Sequence, residues 1–328
     1  MVVYWSGYLG TSRERINMAD FFVKLHQLKE DPINYEHAVK NLVRESSSNR
    51  IARELLESLY CDENRDAAFE RYANSFEFEV IGKLMNFLGV RPDRPLCEIG
   101  GGPGYLSWSL SKSGFKEVCL LEPSDQWLTG TAYLQSRHDS TGIHIENDLE
   151  KWYSDPTSYS TIITRNVLHH FRGLAYTIAC IRQKIVPGGI WIAIREWYAE
   201  TSAELYTKLY AHPFCLPHSV YEFAYPASHF VEAFEIAGFK LVAIVPMGYA
   251  NNVLRKNAEL TRNNNNHLTS IVNNLLVVAP WITARLYSLE SFLNRHFKMK
   301  IRKFTRPQMM VFRRVELNHD DRAFGINE

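Results

Sequence analysis

Short apolar runs that stop at an acid, a glycine or a proline recur through the middle of the chain, separated by stretches of helical spacing. Leu96-Cys97-Glu98-Ile99, Val118-Cys119-Leu120-Leu121, Ile143-His144-Ile145, Ser160-Thr161-Ile162-Ile163 and Ile190-Trp191-Ile192-Ala193-Ile194 read as five buried strands. Between and after them, helices are predicted from about Tyr105 (carrying Leu106, Trp108 and Leu110), from Leu174 to Lys184 and from Thr201 to Tyr210. Another runs through Glu235, with Ser228 as its cap and Gly238 as its stop. Lys240–Val245 reads as a sixth strand and Met309–Phe312 as a last one. Alternation of this kind predicts an α/β core. Before it, Phe21, Phe22, Leu25 and Leu28 mark one amphipathic helix, and Ile51, Leu55, Leu56 and Leu59 mark another. Phe69 to Leu88 reads as a single long helix leading into the first strand. After the sixth strand come four asparagines, Asn263–Asn266, which predict an exposed loop. Two further helices follow, Leu268–Val278 and Trp281–Leu293, with Pro280 at the start of the second.

The first apolar run ends in Glu98-Ile99-Gly100-Gly101-Gly102-Pro103-Gly104, a turn with almost no Cβ atoms between a strand and a helix. Glycine there lets a ligand approach the main chain, and the helix N-terminus behind it favours a nucleotide-like group. A dinucleotide fingerprint wants G-x-G-x-x-G. Here Gly100, Gly102 and Gly104 are spaced G-x-G-x-G, Tyr105 stands at the third-glycine position, and Pro103 removes a backbone donor. NAD and FAD are therefore disfavoured.

The spacing Glu98-x-Gly100-x-Gly102-x-Gly104 resembles motif I of the class I S-adenosylmethionine-dependent methyltransferases. Further segments follow in that family's order. Leu121-Glu122-Pro123 places an acid after the second strand, where a carboxylate can accept two hydrogen bonds from ribose hydroxyls. Glu146-Asn147-Asp148 follows the third strand, and the stretch from Asn166-Val167-Leu168-His169-His170-Phe171 to Val186-Pro187-Gly188-Gly189 is similar to the family's fourth-strand and Pro-Gly-Gly segments. The Pro-Gly-Gly turn is expected to stop the preceding helix and return the chain to the sheet. The resemblance spans roughly residues 90 to 250 plus the last strand. It implies a seven-stranded Rossmann-like sheet, with an N-terminal helical cover over residues 1–89, a methyltransferase domain over 90–328, and a helical insertion at about 251–306. It also implies S-adenosylmethionine as cofactor, held by Glu98, Gly100, Gly101, Gly102, Gly104, Glu122, Pro123, Asn147, Asp148 and Asn166. Asp148 is the first choice for the adenine, although Asn and Asp also favour turns.

The 328 residues, 46% of them apolar, suffice for one α/β core plus an appended unit. A net charge of +1 leaves no global field to recruit nucleic acid. Cys61, Cys97, Cys119, Cys180 and Cys215 show no paired spacing, which speaks against a disulfide framework or a zinc site and for a reducing, cytoplasmic setting. The first residues lack the basic and apolar regions of a signal peptide, and no uncharged apolar stretch reaches spanning length. Arg285, Arg295, Lys298, Lys300, Arg302, Lys303 and Arg306 give the insertion a local positive charge. It suits an anionic substrate or peripheral contact with an acidic lipid surface, or is a solvated face. The N-terminal helices cover the active site, pack as an extension or form a homodimer interface.

Methyl transfer from a sulfonium is an in-line displacement, so the protein mainly aligns its reactants. A hydroxyl acceptor also needs a base. His169, just past the fourth strand, is the first candidate, and its position is similar to that of the base histidine in plant-type phenolic O-methyltransferases. His170 stands where that group has an acid. Glu196, after the fifth strand, is expected to orient His169 or bind substrate, or to be a surface carboxylate. His170 is a further catalytic candidate, and His212, His218, Tyr221 and His229 are substrate-side candidates or structural residues. No metal-ligand spacing stands out, and His169 and His170, being adjacent, are expected to point apart. The function expected is methyl transfer to a small molecule, at oxygen rather than nitrogen or carbon, in a natural-product or saccharide pathway. The alternatives are an RNA or protein methyltransferase, and a cofactor-binding protein that does not methylate.

Overall fold

The computed structural model describes residues 17–29, 31–49, 52–53, 56, 64–140, 142–210, 212, 214–246, 280–297, 299, 301, 306–316. Seven strands form one sheet in the order β3-β2-β1-β4-β5-β7-β6. They are β1 (Leu96–Ile99), β2 (Val118–Leu121), β3 (Ile143–Glu146), β4 (Tyr159–Arg165), β5 (Ile185–Ile194), β6 (Phe239–Val245) and β7 (Met309–Arg314). The first five pair in parallel, and β7 runs antiparallel between β5 and β6. The chain winds outward in opposite directions on either side of β1, so the crevice outside the carboxyl ends of β1 and β4 is the switch point where such sheets take ligands.

Among the described residues the helices are, in chain order, α1 (Met18–Gln27), α2 (Pro32–Glu45), α3 (Arg65–Ala73), α4 (Phe76–Phe87), α5 (Tyr105–Lys112), α6 (Ala132–Ser136), α7 (Leu149–Ser154), α8 (Leu174–Arg182), α9 (Ser202–Tyr210), α10 (Cys215–His218), α11 (Ala227–Ile236) and α12 (Pro280–Phe297). One face of the sheet packs on α3, α4 and α5 through Phe69, Ile81, Leu84, Leu106 and Trp108. The other packs on α8 and α11 through Ile178, Phe230 and Phe234, with Trp191 buried between. Both faces of the central strands are covered, which is why they read as unbroken apolar runs. Phe234 stacks on Phe312 with centroids 3.8 Å apart. Burying side chains of this size contributes about 1.5–3 kcal/mol each.

The N-terminal helices form their own small cores with the segment after β5. Phe21 and Leu25 of α1 bury against Leu205, Leu209, Cys215 and Tyr221. Ala38, Val39 and Leu42 of α2 bury against Phe214. Each N-terminus is set by a capping side chain: Asn17 for α1, Asp31 followed by Pro32 for α2.

Four predicted elements need correction. The expected helix from Phe69 to Leu88 is two helices, broken where Ser75 leaves the helical conformation and caps α4 by accepting from Phe78 N–H (3.2 Å). Ser228 is not the cap: α11 starts at Ala227, two residues earlier than a Ser228 cap would give, with Pro226 at the cap position and no side-chain cap. The Pro-Gly-Gly stretch does not stop a helix, because α8 has already ended at Arg182. It lies inside β5, where pairing jumps from Tyr159 opposite Ile185 to Thr161 opposite Ile190, as in a bulge. The helix predicted from Trp281 to Leu293 extends from Pro280 to Phe297. Leu268–Val278, Asn263–Asn266 and most of the Ile51–Leu59 helix lie outside the described residues.

Candidate active site

The glycine turn leaves β1 at the switch point and enters α5 through Gly104, at φ 80°. Gly100 has φ 67°, and a Cβ there would stand 2.7 Å from Val167 Cγ2, so this glycine lets the turn close against the loop after β4. A Cβ on Gly101 would stand 2.5 Å from the Glu98 carboxyl carbon. Glu98 cannot yield: it is buried, and one of its oxygens accepts from Ser107 N–H (2.8 Å) and Ser107 Oγ–H (2.6 Å). Burial raises its pKa. Glu98 thus ties the turn to α5 from behind. Gly101→Ala is expected to weaken cofactor binding at least roughly tenfold and to cost about 1–3 kcal/mol of stability, the range for overpacking. Calorimetric titration and thermal melting check the two halves of that expectation.

Glu122, at the end of β2, accepts from Gly102 N–H (2.8 Å) and from Ser124 N–H (2.9 Å). Burial pushes its pKa up to about 7, against those two bonds. An ionised carboxylate has about four acceptor sites, so two remain for ribose hydroxyls. These remaining acceptor sites at the end of β2, beside the glycine turn, are the feature that fits the implied cofactor. Asn147 donates to Glu122 O (2.6 Å) and Thr131 Oγ1 (3.1 Å), fixing the loop beyond β2. Asp148 is exposed and caps α7, accepting from Glu150 N–H (2.8 Å) and Lys151 N–H (3.1 Å). Pro123 is exposed beside Glu122.

Glu36 of α2 was not legible as a site residue. Its buried carboxylate accepts from Leu128 N–H, Thr129 N–H and Thr129 Oγ1–H at 3.0–3.2 Å, clamping the N-terminal cover to the loop beyond β2. A second clamp is Arg172, whose guanidinium donates to His26 O (2.9 Å) and Leu28 O (2.6 Å) at the end of α1.

Asn166 follows β4 at φ 61°, and Arg195 follows β5 at φ 59°. Such φ values are costly for residues with a Cβ and persist where the surroundings enforce them. Here the Asn166 N–H donates to Ile194 O (2.7 Å) and the Arg195 N–H to Gln308 O (2.8 Å). Beside them stands Glu77 of α4, fully buried, whose two oxygens take the guanidinium Nε of Arg165 (2.7 Å) and that of Arg195. Burial alone would raise the pKa of Glu77. The two arginines outweigh it and hold the carboxyl at about 2. One carboxylate therefore locks the ends of β4 and β5 together.

Past Asn166, residues Leu168–His170 form a 3-10 turn. Glu196 is buried and binds this turn from below: Oε1 accepts from Leu168 N–H (3.1 Å), Oε2 from His169 N–H (3.2 Å), and His169 Nδ1 lies 2.8 Å from Oε2. Glu222 reaches the other edge of the imidazole. Its Oε2 is 3.2 Å from His169 Nε2 and 4.0 Å from His170 Nε2. The two histidines do not point apart. Val167 at φ −131°, ψ −41° is neither helical nor extended, and the turn brings the rings to 4.3 Å between centroids. Burial pushes the His169 pKa down, and Glu196 and Glu222 outweigh it, holding it near 9. For Glu222 burial acts upward, and the surrounding histidines win and lower it. Glu222 had no sequence signal. The segment carrying it is held beside the end of β5 by the bridge between Tyr198 and Tyr225.

Among the substrate-side candidates, His212 is buried against Trp197 (ring centroids 5.0 Å) and burial lowers its pKa. Burial does the same to half-buried His218. Tyr221 is buried beneath Arg172, and exposed His229 stacks on Tyr225. None of the predicted site residues lines the cavity of about 550 Å³ between α11 and α12, bounded by Glu232, Tyr287, Phe292 and Arg295. Of the basic segment, Arg306 is buried and paired with Glu204 (2.8 Å), while Lys298, Lys300, Arg302 and Lys303 lie outside the described residues. Among the described residues no helix is long and apolar enough to cross a membrane.

The sequence matches the profile of the family described as "Methyltransferase domain" over residues 72–244, more than half of the chain. No curated protein matches it at a significant level. Similar solved structures include an S-adenosylmethionine-dependent methyltransferase from Mesorhizobium loti. It is 14% identical, with 70% of this chain and 95% of that one covered and a TM-score of 0.43. Another is magnesium protoporphyrin IX methyltransferase from Synechocystis PCC 6803 with bound SAH, at 18% identity, 52% and 75% coverage and a TM-score of 0.39. A third is a mitomycin 7-O-methyltransferase, at 17% identity, 63% and 57% coverage and a TM-score of 0.39.

Proposed function

The chain belongs to the methyltransferase domain family and is an S-adenosylmethionine-dependent methyltransferase, and from that premise we propose that it methylates a hydroxyl oxygen of a small-molecule acceptor. When bound, the cofactor supplies a methyl group already activated on sulfonium sulfur. Gly100–Gly104 give it close access to the main chain, Glu122 offers its remaining acceptor sites, and Asn147 holds the loop that carries Glu122.

What the chain has left to do is align the acceptor and accept its proton. The observation that carries the oxygen reading is the polar pair His169 Nε2 and Glu222 Oε2. Both atoms are buried and neither has a hydrogen-bond partner, because their 3.2 Å approach is not aligned as a hydrogen bond. The pair lies one turn from the glycine motif, since Val167, two residues before His169, packs on Gly100. A hydroxyl brought there would meet an imidazole whose other nitrogen is fixed by Glu196. With its pKa held at about 9, that imidazole accepts a proton in its deprotonated form, so the rate is expected to rise as pH approaches 9. Removal of a proton by a positioned group of this kind contributes about 10²–10⁴-fold. The clamps at Glu36 and Arg172 draw α1 and α2 over this region, a cover that limits water at the reacting centre.

The test is incubation of the full chain with cofactor tritiated in the methyl group and with fractionated cell extracts. Label is expected in a small-molecule fraction, as a methyl ether stable to mild alkali and to amine-specific reagents, with demethylated cofactor formed in equal amount. Label confined to RNA or protein would refute the small-molecule reading, and label on nitrogen would refute the oxygen reading.

A further inference from the structure

The cluster around His169 has the composition of a metal site as well as of an acid–base pair. We propose that His169 Nε2, His170 Nε2 and Glu222 Oε2 bind one divalent first-row transition-metal ion. The three donor atoms come from two segments of the chain and lie within 4.8 Å of one another. His169 and Glu222 are more than nine-tenths buried, and each presents an atom with no hydrogen-bond partner. The two atoms face each other at 3.2 Å without an aligned hydrogen bond, and one shared ion would satisfy both.

The remaining nitrogens support this assignment. His169 Nδ1 lies 2.8 Å from Glu196 Oε2, and His170 Nδ1 lies 2.7 Å from Tyr221 O. A backbone carbonyl can only accept, so His170 carries its proton on Nδ1 and keeps the Nε2 lone pair for a ligand. Carboxylate or carbonyl acceptors behind the far nitrogen are the usual orienting shell of metal-binding histidines. Charge points the same way. A divalent ion would take the place of the proton that His169 holds between the Glu196 and Glu222 carboxylates and would balance both.

Donors bonded at about 2.1 Å to one tetrahedral ion stand roughly 3.4 Å apart. The 3.2 Å between His169 Nε2 and Glu222 Oε2 already matches. The 4.0 Å from Glu222 to His170 Nε2 and the separation of the two imidazole donors, within 4.8 Å, close with an inward shift of the His170 ring on the order of 1 Å. The His170 side chain is 32% exposed, which gives it room to move and leaves the ion a way in. Two imidazoles and a carboxylate with positions left open suit iron(II), manganese(II) or zinc(II) rather than calcium or magnesium. An open position would take the acceptor oxygen and lower its pKa. That use rests on the proposed acceptor reading, whereas the binding itself does not.

The test is therefore made without cofactor or acceptor. The full chain, stripped with a chelator and dialysed, is titrated with Mn²⁺ and Zn²⁺ by calorimetry, and Mn²⁺ binding is followed by loss of the free-ion EPR signal. One equivalent is expected to bind, at least tenfold more weakly in His170→Ala and in Glu222→Gln, with unchanged far-UV circular dichroism. Co²⁺ is expected to give a ligand-field absorption spectrum that both substitutions abolish. Failure of the wild-type chain to bind one equivalent would overturn the proposal, and so would binding that both variants retain. Failure to methylate any hydroxyl acceptor, with the ion bound as expected, would count against the acceptor reading alone.

Discussion

Replacing His169 by alanine is expected to lower the methyl-transfer rate by about 10²–10⁴-fold while leaving cofactor affinity within a few-fold of wild type. The split follows from the layout. The cofactor's contacts belong to the turn after β1 and the loop after β2, whereas His169 stands on the 3-10 turn after β4. The expectation is the same whether Nε2 takes the acceptor's proton itself or holds an ion that acidifies it, since both uses need that atom. Glu196→Gln is expected to fall between wild type and His169→Ala. Glutamine keeps a carbonyl oxygen either for the Leu168 N–H, now on Oε1, or for the His169 N–H and Nδ1, now on Oε2, and sets an amide NH₂ against the other. Steady-state rates with cofactor binding measured separately check both variants. A His169→Ala enzyme that retains the wild-type rate would remove His169 from the chemistry, and one that loses cofactor binding equally would make its role structural.

How far the sequence alone reaches is a matter of contact range. The glycine turn was legible because its parts are consecutive: an apolar run, an acid and a break in side chains need no tertiary information. His169 and Glu196 could each be placed at a strand end for the same reason. Glu36, Glu77 and Glu222 could not. Glu77 and Glu36 sit on helices whose other charges are solvated, and their partners are far away in sequence: Arg165 and Arg195 for Glu77, Leu128 and Thr129 for Glu36. Glu222 lies in an irregular segment with no periodicity to read. The His-His pair misled for a different reason. Rules for adjacent residues assume a helix or a strand, and the left-handed Asn166 that precedes this turn takes the chain out of both. Asp148 carries two readings that the sequence could not separate, since its Oδ1 caps a helix and its other oxygen is not used in that cap.

Glu77→Gln is expected to cost about 3–5 kcal/mol, the range for breaking a buried ion pair by removing one partner, and to change how stability depends on pH. The fully buried carboxyl titrates at about 2, against an ordinary value of 4.5. Lowering a pKa by one corresponds to about 1.4 kcal/mol, so the ionised form contributes about 3 kcal/mol. A depressed carboxyl stabilises the fold fully above the unfolded-state pKa and loses that contribution as pH falls toward the folded-state value. The stability difference between wild type and Glu77→Gln is therefore expected to be constant from pH 7 to about 5.5, to shrink by about 2 kcal/mol by pH 3, and to be largely gone near pH 2. Urea unfolding of both proteins across that range measures it, and a difference independent of pH would show that Glu77 does not carry the charge. The same substitution should reach the reaction. Glu77 holds Arg165 and Arg195, and the residues directly after them, Asn166 and Glu196, set the turn that carries His169. Releasing that clamp frees two backbone positions that adopt positive φ. The methyl-transfer rate of Glu77→Gln should then fall even at pH 7, where the variant remains folded, because a catalytic constellation displaced by about 1 Å loses on the order of 10²-fold.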